Sequence, residues 1–165
     1  MLAVGSCEGE ISIWTVSNTK SGLFQNLTGH TDVILNFDEA PKVFASSSLD
    51  KTVRIWSKSS GNVLKIVDKH QGLVTGVKFS PNSQLFATIG HDHCIYFWKV
   101  PEDIDPEIFQ NDSKIPSSIL LHAHKSESKI FNCNWNSRGD IIGVSGAHGN
   151  IFIIDLIGSK HIKLS

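Results

Sequence analysis

The feature that most limits the fold of this chain is a tryptophan that returns at a constant interval. Trp14, Trp56 and Trp98 are separated by 42 residues in each case. Each ends the same kind of phrase, in which a short apolar run is followed by a turn and then by residues that lead into the tryptophan, as in VFASSSLDKTVRIW. A repeat of this length indicates similar structural units that bury their apolar surfaces against one another.

A fourth, weaker copy of the phrase is IIGVSGAHGNIFIID, which has Ile154 in place of the tryptophan and lies 14 residues beyond the expected interval. The extra residues fit in segment 101–114, which is acidic, contains two prolines and lacks a strand pattern, so we predict a loop insertion there. Between the phrases stand VILNF, LVTGVKF and KIFNCNW, which are rich in β-branched and aromatic residues and end in turn formers. One period therefore predicts four short strands.

A second mark is a histidine ahead of each new strand, in Gly29-His30, Lys69-His70 and Ala123-His124. A period of about 40–45 residues with four strands, such a histidine and a closing tryptophan is typical of WD repeats. The chain resembles the WD-repeat (transducin beta-like) β-propeller family along essentially its whole length, although no tryptophan is followed by the usual aspartate. The resemblance implies an all-β fold of four-stranded antiparallel blades, about three and three-quarter repeats, within a larger, seven-bladed propeller.

We place the blades at residues 1–28, which lack an innermost strand, at 29–68, at 69–122 with the insertion 101–114, and at 123–165. Segments such as VFASS, IYFW and IFIID are apolar or small at consecutive positions, as expected where both faces of a strand are covered. An open run of blades leaves apolar faces at its two ends. We therefore expect either a part of a longer chain, which we favour, or two copies that complete a ring.

The resemblance also implies a buried hydrogen-bonded chain in each repeat, formed by the histidine, a hydroxyl residue of the second strand, an aspartate in the turn and the tryptophan. The second repeat has every member, namely His30, Ser48, Asp50 and Trp56. The other expected members are Trp14 in the first repeat, His70, Asp92 and Trp98 in the third, and His124 in the fourth. Elsewhere the turn position holds Glu8 and His148, and the serine position holds Gly90 and Gly146. We therefore expect blades of uneven stability, because an incomplete network can cost more than it contributes.

Function in such a fold depends on what the loops present on the two flat faces. On the face formed by the second-to-third-strand turns and the links between blades, we expect partner-binding side chains just before the turn position and just after the repeat histidine. These are Leu49, His91 and Ala147, and Asp32, Gln71 and Lys125. The insertion should lie on the opposite face, where Ile108 and Phe109 could form a docking segment that orders on binding.

Charge and motifs favour protein binding over chemistry. With 15 basic and 16 acidic residues the net charge of -1 creates no general attraction to nucleic acid or membrane, so nucleic-acid contact within an RNA-processing or ribosome-assembly particle is the alternative. No nucleophile or phosphate-binding motif occurs, and we expect no cofactor. A metal-dependent enzyme using His91, His93 and Cys94 is the second alternative.

The three cysteines are unevenly spaced and indicate reduced thiols, and no apolar run approaches the ~20 residues that a membrane-spanning helix needs. The sequence therefore predicts an intracellular, cytoplasmic or nuclear, non-catalytic scaffold. We expect its partners to be other proteins, together with the remaining blades in a longer chain or a second copy.

Overall fold

The computed structural model describes residues 2–17, 21–100, 120–158 and 160–164, with backbone only for 120–124 and 160–164. Fifteen strands occur in these residues, and they form four antiparallel sheets in which strands adjacent in sequence pair with each other. The predicted all-β fold is confirmed. In the part of the chain that the structure describes, no helix has the length and apolarity to span a membrane.

The first sheet has three strands and each of the others has four, and we call the sheets the first to fourth blades. The first blade contains β1 (Leu2–Gly5), β2 (Ile11–Val16) and β3 (Ser21–Leu27). The second contains β4 (Ile34–Glu39), β5 (Val43–Ser48), β6 (Val53–Ser57) and β7 (Val63–Val67). The third contains β8 (Val74–Phe79), β9 (Leu85–Gly90), β10 (Cys94–Lys99) and β11 (Leu120–Lys125). The fourth contains β12 (Ile130–Trp135), β13 (Ile141–Gly146), β14 (Ile151–Asp155) and β15 (Lys160–Leu164), with a short 3-10 turn at Ala147–Gly149 between β13 and β14.

The third blade extends beyond the end that we predicted for it. We placed its boundary at residue 122, but β11 continues to Lys125, whose backbone lies opposite Cys94 of β10. The segment that joins β10 to β11, residues 101–119, includes the predicted insertion 101–114 and lies outside the described residues.

The core consists of three apolar clusters, one between each pair of neighbouring blades. Alternation along β9 shows how one strand supplies two of them, because Phe86 packs toward the second blade whereas Ala87 and Ile89 pack toward the fourth. The cluster between the first and second blades contains Ile11, Ile13, Leu27, Phe44 and Trp56. Both faces of the second and third blades are therefore buried, as the continuous apolar strands predict.

The outer face of the first blade is apolar and exposed. Leu2 is 54%, Val4 50% and Trp14 39% exposed, and these side chains alternate along β1 and β2 with residues that face the second blade. On the outer face of the fourth blade, Gly143 and Ser145 of β13 stand opposite Ile153 and Ile151 of β14, and Ile151 is 47% exposed. Both ends of the described array therefore present exposed apolar side chains.

Candidate functional site

A buried hydrogen-bonded chain crosses the second blade from the turn after β5 to Trp56. The carboxylate of Asp50 lies 2.7 Å from Nδ1 of His30, and Nε2 of His30 lies 2.8 Å from the hydroxyl of Ser46. The indole N–H of Trp56 donates to the same hydroxyl at 2.8 Å. His30 and Trp56 are 5% and 1% exposed, so nearly all of this hydrogen-bonded network is shielded from water.

The partners of His30 fix the position of its proton. The carboxylate of Asp50 can only accept, so Nδ1 of His30 carries a proton and donates it to Asp50. In the neutral imidazole Nε2 then accepts the proton of the Ser46 hydroxyl, whose oxygen accepts the indole N–H of Trp56. Burial lowers the pKa of His30 and outweighs the influence of Asp50, which raises it. Burial raises the pKa of Asp50, but hydrogen bonds from Thr52 and His30 outweigh it and leave that pKa below its ordinary value.

The third blade contains an equivalent chain. Asp92 lies 2.9 Å from Nδ1 of His70, and Nε2 of His70 lies 3.0 Å from the hydroxyl of Thr88, to which Trp98 donates at 3.0 Å. Burial lowers the pKa of His70 despite the neighbouring Asp92. Two blades, not one as we expected from Gly90, therefore have a complete network.

We predicted that Ser48 provides the hydroxyl of this hydrogen-bonded network, and that prediction is wrong. Its hydroxyl donates instead to the backbone oxygen of Asp32 at 3.0 Å and accepts the N–H of Asp50 at 3.1 Å. Ser46, two residues earlier on the same side of β5, reaches Trp56 because it stands diagonally across from it, next to Phe44. The sequence signal is a hydroxyl two residues after an aromatic residue, and it is present in Phe44-Ala45-Ser46 and in Phe86-Ala87-Thr88.

The described residues of the first and fourth blades do not form this hydrogen-bonded network. Val4 and Val144 stand at the hydroxyl position, and Trp14 and Ile154 at the tryptophan position. Trp14 is 39% exposed on the outer face of its blade, and Glu8 is exposed in its turn.

The structure also places His124 differently from our prediction. His124 lies within β11, opposite Ile95, and its side chain is outside the described ones. The residue four positions ahead of β12, where His30 stands ahead of β4 and His70 ahead of β8, is the buried Ser126. The turn position of the fourth blade holds His148, which has a left-handed φ of 62° and is exposed.

Above these networks, the turn of each blade is fastened to the link that enters the same blade. Leu49 N–H donates to Val33 O at 3.0 Å, His91 N–H to Leu73 O at 2.9 Å, and Ala147 N–H to Lys129 O at 2.8 Å. In the second and third blades the turn aspartate adds a bond to the link, since Asp50 accepts Thr31 N–H at 3.2 Å and Asp92 accepts Gln71 N–H at 2.9 Å. The turns and links therefore form one continuous face.

The predicted partner-binding residues occupy this face with different exposures. Leu49, His91 and Ala147 are half-buried, whereas Asp32, Gln71 and Lys125 are exposed. Lys125 belongs to the end of β11, one residue before Ser126. The proposed docking residues Ile108 and Phe109 lie outside the described residues.

His91, His93 and Cys94 do not form a metal centre. Among the residues that the structure describes, no group of three or more His, Cys, Asp or Glu side chains could hold a metal ion. Asp92, the carboxylate between these residues, is bonded to His70 and to the N–H groups of Gln71 and Cys94.

Comparisons with known proteins agree with the repeat. Residues 21–57 and 61–99 match the WD40 family model, described as WD domain, G-beta repeat. The chain is 36% identical to human WD repeat and SOCS box-containing protein 1 over 61% of the chain and 24% of that protein. It is 33% identical to Protein HIR1 of Mycosarcoma maydis over 94% of the chain and 16% of that protein, and 27% identical to Polycomb protein EED of Chaetomium thermophilum over 80% and 24%. The chain thus spans about a quarter of the length of the first of these relatives.

Proposed function

Because the chain belongs to the WD-repeat β-propeller family, we propose that it is a non-catalytic scaffold that assembles a multiprotein complex. Its binding surface is the face formed by the turns β5–β6, β9–β10 and β13–β14 together with the links between blades. The observation that carries the proposal is the repeated bond from each turn to its link, which holds three different side chains, Leu49, His91 and Ala147, in equivalent positions.

A rigid frame with different side chains suits recognition. The backbone bonds fix where each side chain stands before a partner arrives, so little conformational entropy is lost on binding. In the second and third blades, Asp50 and Asp92 also accept backbone N–H groups of the links and so help to fix the links in place. Because both aspartates are engaged in these networks, the geometry repeated in the two blades supports positioning of loops in preference to catalysis.

Additional blades complete the molecule in this proposal. The exposed apolar residues on the outer face of the first blade, Leu2, Val4 and Trp14, supply the kind of surface that buries a neighbouring blade elsewhere in the array. These blades would belong to the same longer chain, within a seven-bladed propeller, or to a second copy. An intracellular location, cytoplasmic or nuclear, fits the three unpaired thiols Cys7, Cys94 and Cys133.

The test compares variants of the two faces in the natural gene product, expressed at its normal level. The face variant combines Gln71→Ala, His91→Ala and Lys125→Ala. The matched control combines Lys42→Ala, Ser137→Ala and Arg138→Ala, which are exposed in turns at the opposite ends of the strands. Partners are identified by cross-linking and mass spectrometry.

We expect the face variant to lose specific cross-linked proteins that the control retains, with equal thermal midpoints showing that both variants are folded. If the two variants and the unmodified protein cross-link to the same proteins, this face is not the binding surface.

A further inference from the structure

One junction on this face combines positive charge with an exposed aromatic ring. It lies where the third blade meets the fourth and consists of His91, His93, Lys125, Lys129 and Phe131, which we call the junction patch. Phe131 is 50% exposed although it is a large apolar residue, and both lysines are exposed. Aromatic residues are enriched in protein interfaces relative to the rest of the surface.

The residues of the junction patch are held by neighbouring strands. The His91 and Phe131 rings meet edge to face with centroids 5.7 Å apart, so the aromatic surface spans the two blades. The backbone oxygen of His93 accepts the N–H of Ser126 at 2.7 Å, which places the end of β11, and with it Lys125, beside the β9–β10 turn. Lys129 is fixed through its backbone oxygen, which accepts the N–H of Ala147.

The basic side chains of the junction patch influence the ionisation of His91. Burial, then the charges of Lys129 and His93, lower the pKa of His91. The nearest turn carboxylate, Asp92, is already engaged by His70 and by backbone N–H groups, and the link also contains the exposed Glu127. Lys125 and Lys129 are both exposed, so an incoming carboxylate can reach either ammonium group.

Equivalent positions in the other described blades lack this combination. Where the fourth blade has Lys129, the second and third blades have Val33 and Leu73. Where it has Phe131, at a bulge of the innermost strand, they have Leu35 and Thr75 at the same bulge. Thr75 is moreover engaged across the blade boundary, since its hydroxyl donates to Ile130 O at 3.0 Å. The junction patch is therefore specific to this part of the face.

We propose that the junction patch binds an acidic segment of a partner protein, with an apolar side chain seated on Phe131 and carboxylates against Lys125 and Lys129. This inference rests on the proposed scaffold function and specifies the chemistry of a partner. Charge complementarity of this kind raises the association rate and excludes basic competitors. A peptide fits better than nucleic acid, because the net charge of -1 gives the chain no general attraction to a phosphate backbone and the half-exposed ring of Phe131 can contact an apolar side chain.

The experiment begins with a random peptide display library selected on the immobilised full chain. Affinities of the enriched peptides are then measured by fluorescence anisotropy for the unmodified chain and for Lys129→Glu and Phe131→Ser. The matched controls are Lys42→Glu, a charge reversal on the opposite face, and Phe24→Ser, which removes an aromatic ring that is 54% exposed in the first blade. A single-stranded oligonucleotide serves as competitor.

We expect enriched peptides in which Asp and Glu surround a leucine or an aromatic residue. Their affinity should fall on the order of tenfold in each junction-patch variant, which corresponds to the loss of one well-placed contact, and should be unchanged in the controls.

Three results would overturn the inference: no enrichment, enriched peptides without an acidic bias, or affinities that do not depend on Lys129 and Phe131. Displacement of the peptides by the oligonucleotide at comparable concentration would reassign the junction patch to nucleic acid. In each case the scaffold function stands if the face variant described above still loses its cross-linked partners, so the two failures can be told apart.

Discussion

Trp56 donates its indole N–H to Ser46, which lies two residues along β5 from Phe44, the residue directly opposite the tryptophan. The same diagonal joins Trp98 to Thr88, beside Phe86. One hydroxyl therefore satisfies a buried indole and a buried imidazole at once. The first blade has Val4 on this diagonal, and its Trp14 is the tryptophan of the repeat that is exposed.

Replacing the shared hydroxyl should destabilise the protein. Ser46→Ala leaves the indole of Trp56 and Nε2 of His30 buried without a partner, and we expect the free energy of unfolding to fall by about 1–3 kcal/mol. The control is Ser47→Ala, which is equally buried but makes only a long hydrogen bond of 3.4 Å to Asn36 O. Urea unfolding of both variants measures the difference. If the two variants lost the same free energy of unfolding, the hydrogen bonds of Ser46 would not contribute more to stability than that of Ser47.

The acidic turn residues of the first and second blades should differ in how much they contribute to the stability of the protein. Asp50→Ala removes the acceptor of His30, Thr31 N–H, Thr52 N–H and the Thr52 hydroxyl, so we expect a loss of roughly 1–3 kcal/mol. Glu8→Ala, at the equivalent position of the first blade, alters an exposed side chain and should leave stability nearly unchanged. Thermal midpoints compare the two variants, and an unchanged midpoint for Asp50→Ala would contradict the role given to the network.

Stability should decrease on mild acidification. The pKa values of His30, His70 and His91 lie below the ordinary value of 6.5 in the folded protein, chiefly because of burial. The unfolded chain therefore binds more protons than the folded protein once the pH falls below about 6.5, and the free energy of unfolding decreases. Above about pH 7 these groups are neutral in both states and the curve should be flat.

Urea unfolding between about pH 8 and pH 5 measures this dependence. The depressed pKa values of Asp50 and Asp92, whose ordinary value is 3.8, place their own loss at more acidic pH, so the two effects separate. His70→Gln removes one of the titrating groups and should give a shallower slope than the unmodified chain. A stability that rises on acidification would show that the imidazoles are charged in the folded state.

The outer face of the first blade should promote association. Val4→Glu places a carboxylate among exposed apolar side chains, including Leu2 and Trp14, and should reduce concentration-dependent light scattering. The control is Ser137→Glu, which adds the same charge to an exposed turn of the fourth blade. If both variants reduce scattering equally, net charge and not the apolar face controls association.

The repeat was sufficient to predict the four blades, because the 42-residue interval and the apolar strands leave few ways to bury every sheet. The turn aspartates Asp50 and Asp92 were also predictable, since each precedes the tryptophan of its repeat by six residues. The sequence did not predict which hydroxyl accepts the indole N–H of Trp56. Ser46 and Ser48 stand on the same side of β5, and only the register with β6 decides which of them Trp56 can reach.

The fourth blade shows a second limit of sequence reasoning. Its irregular spacing left His124 as the nearest histidine to the expected position, but the backbone of that residue pairs with Ile95 in β11, and Ser126 holds the position ahead of β12. Phe131 was overlooked because it stands at a bulge in β12, and the local sequence pattern does not predict that bulge.

In the second, third and fourth blades the tryptophan side meets the blade before it: Trp56 packs in the cluster with the first blade, Trp98 in that with the second, and Ile154, at the same position, in that with the third. The two sides of a blade are therefore distinct, and every junction joins unlike sides in the same order. If a blade were duplicated and inserted between two others, its tryptophan side would pack against the blade before it and its other side against the blade after it. Such an array can lengthen in evolution by whole units, without redesign of the junctions already present.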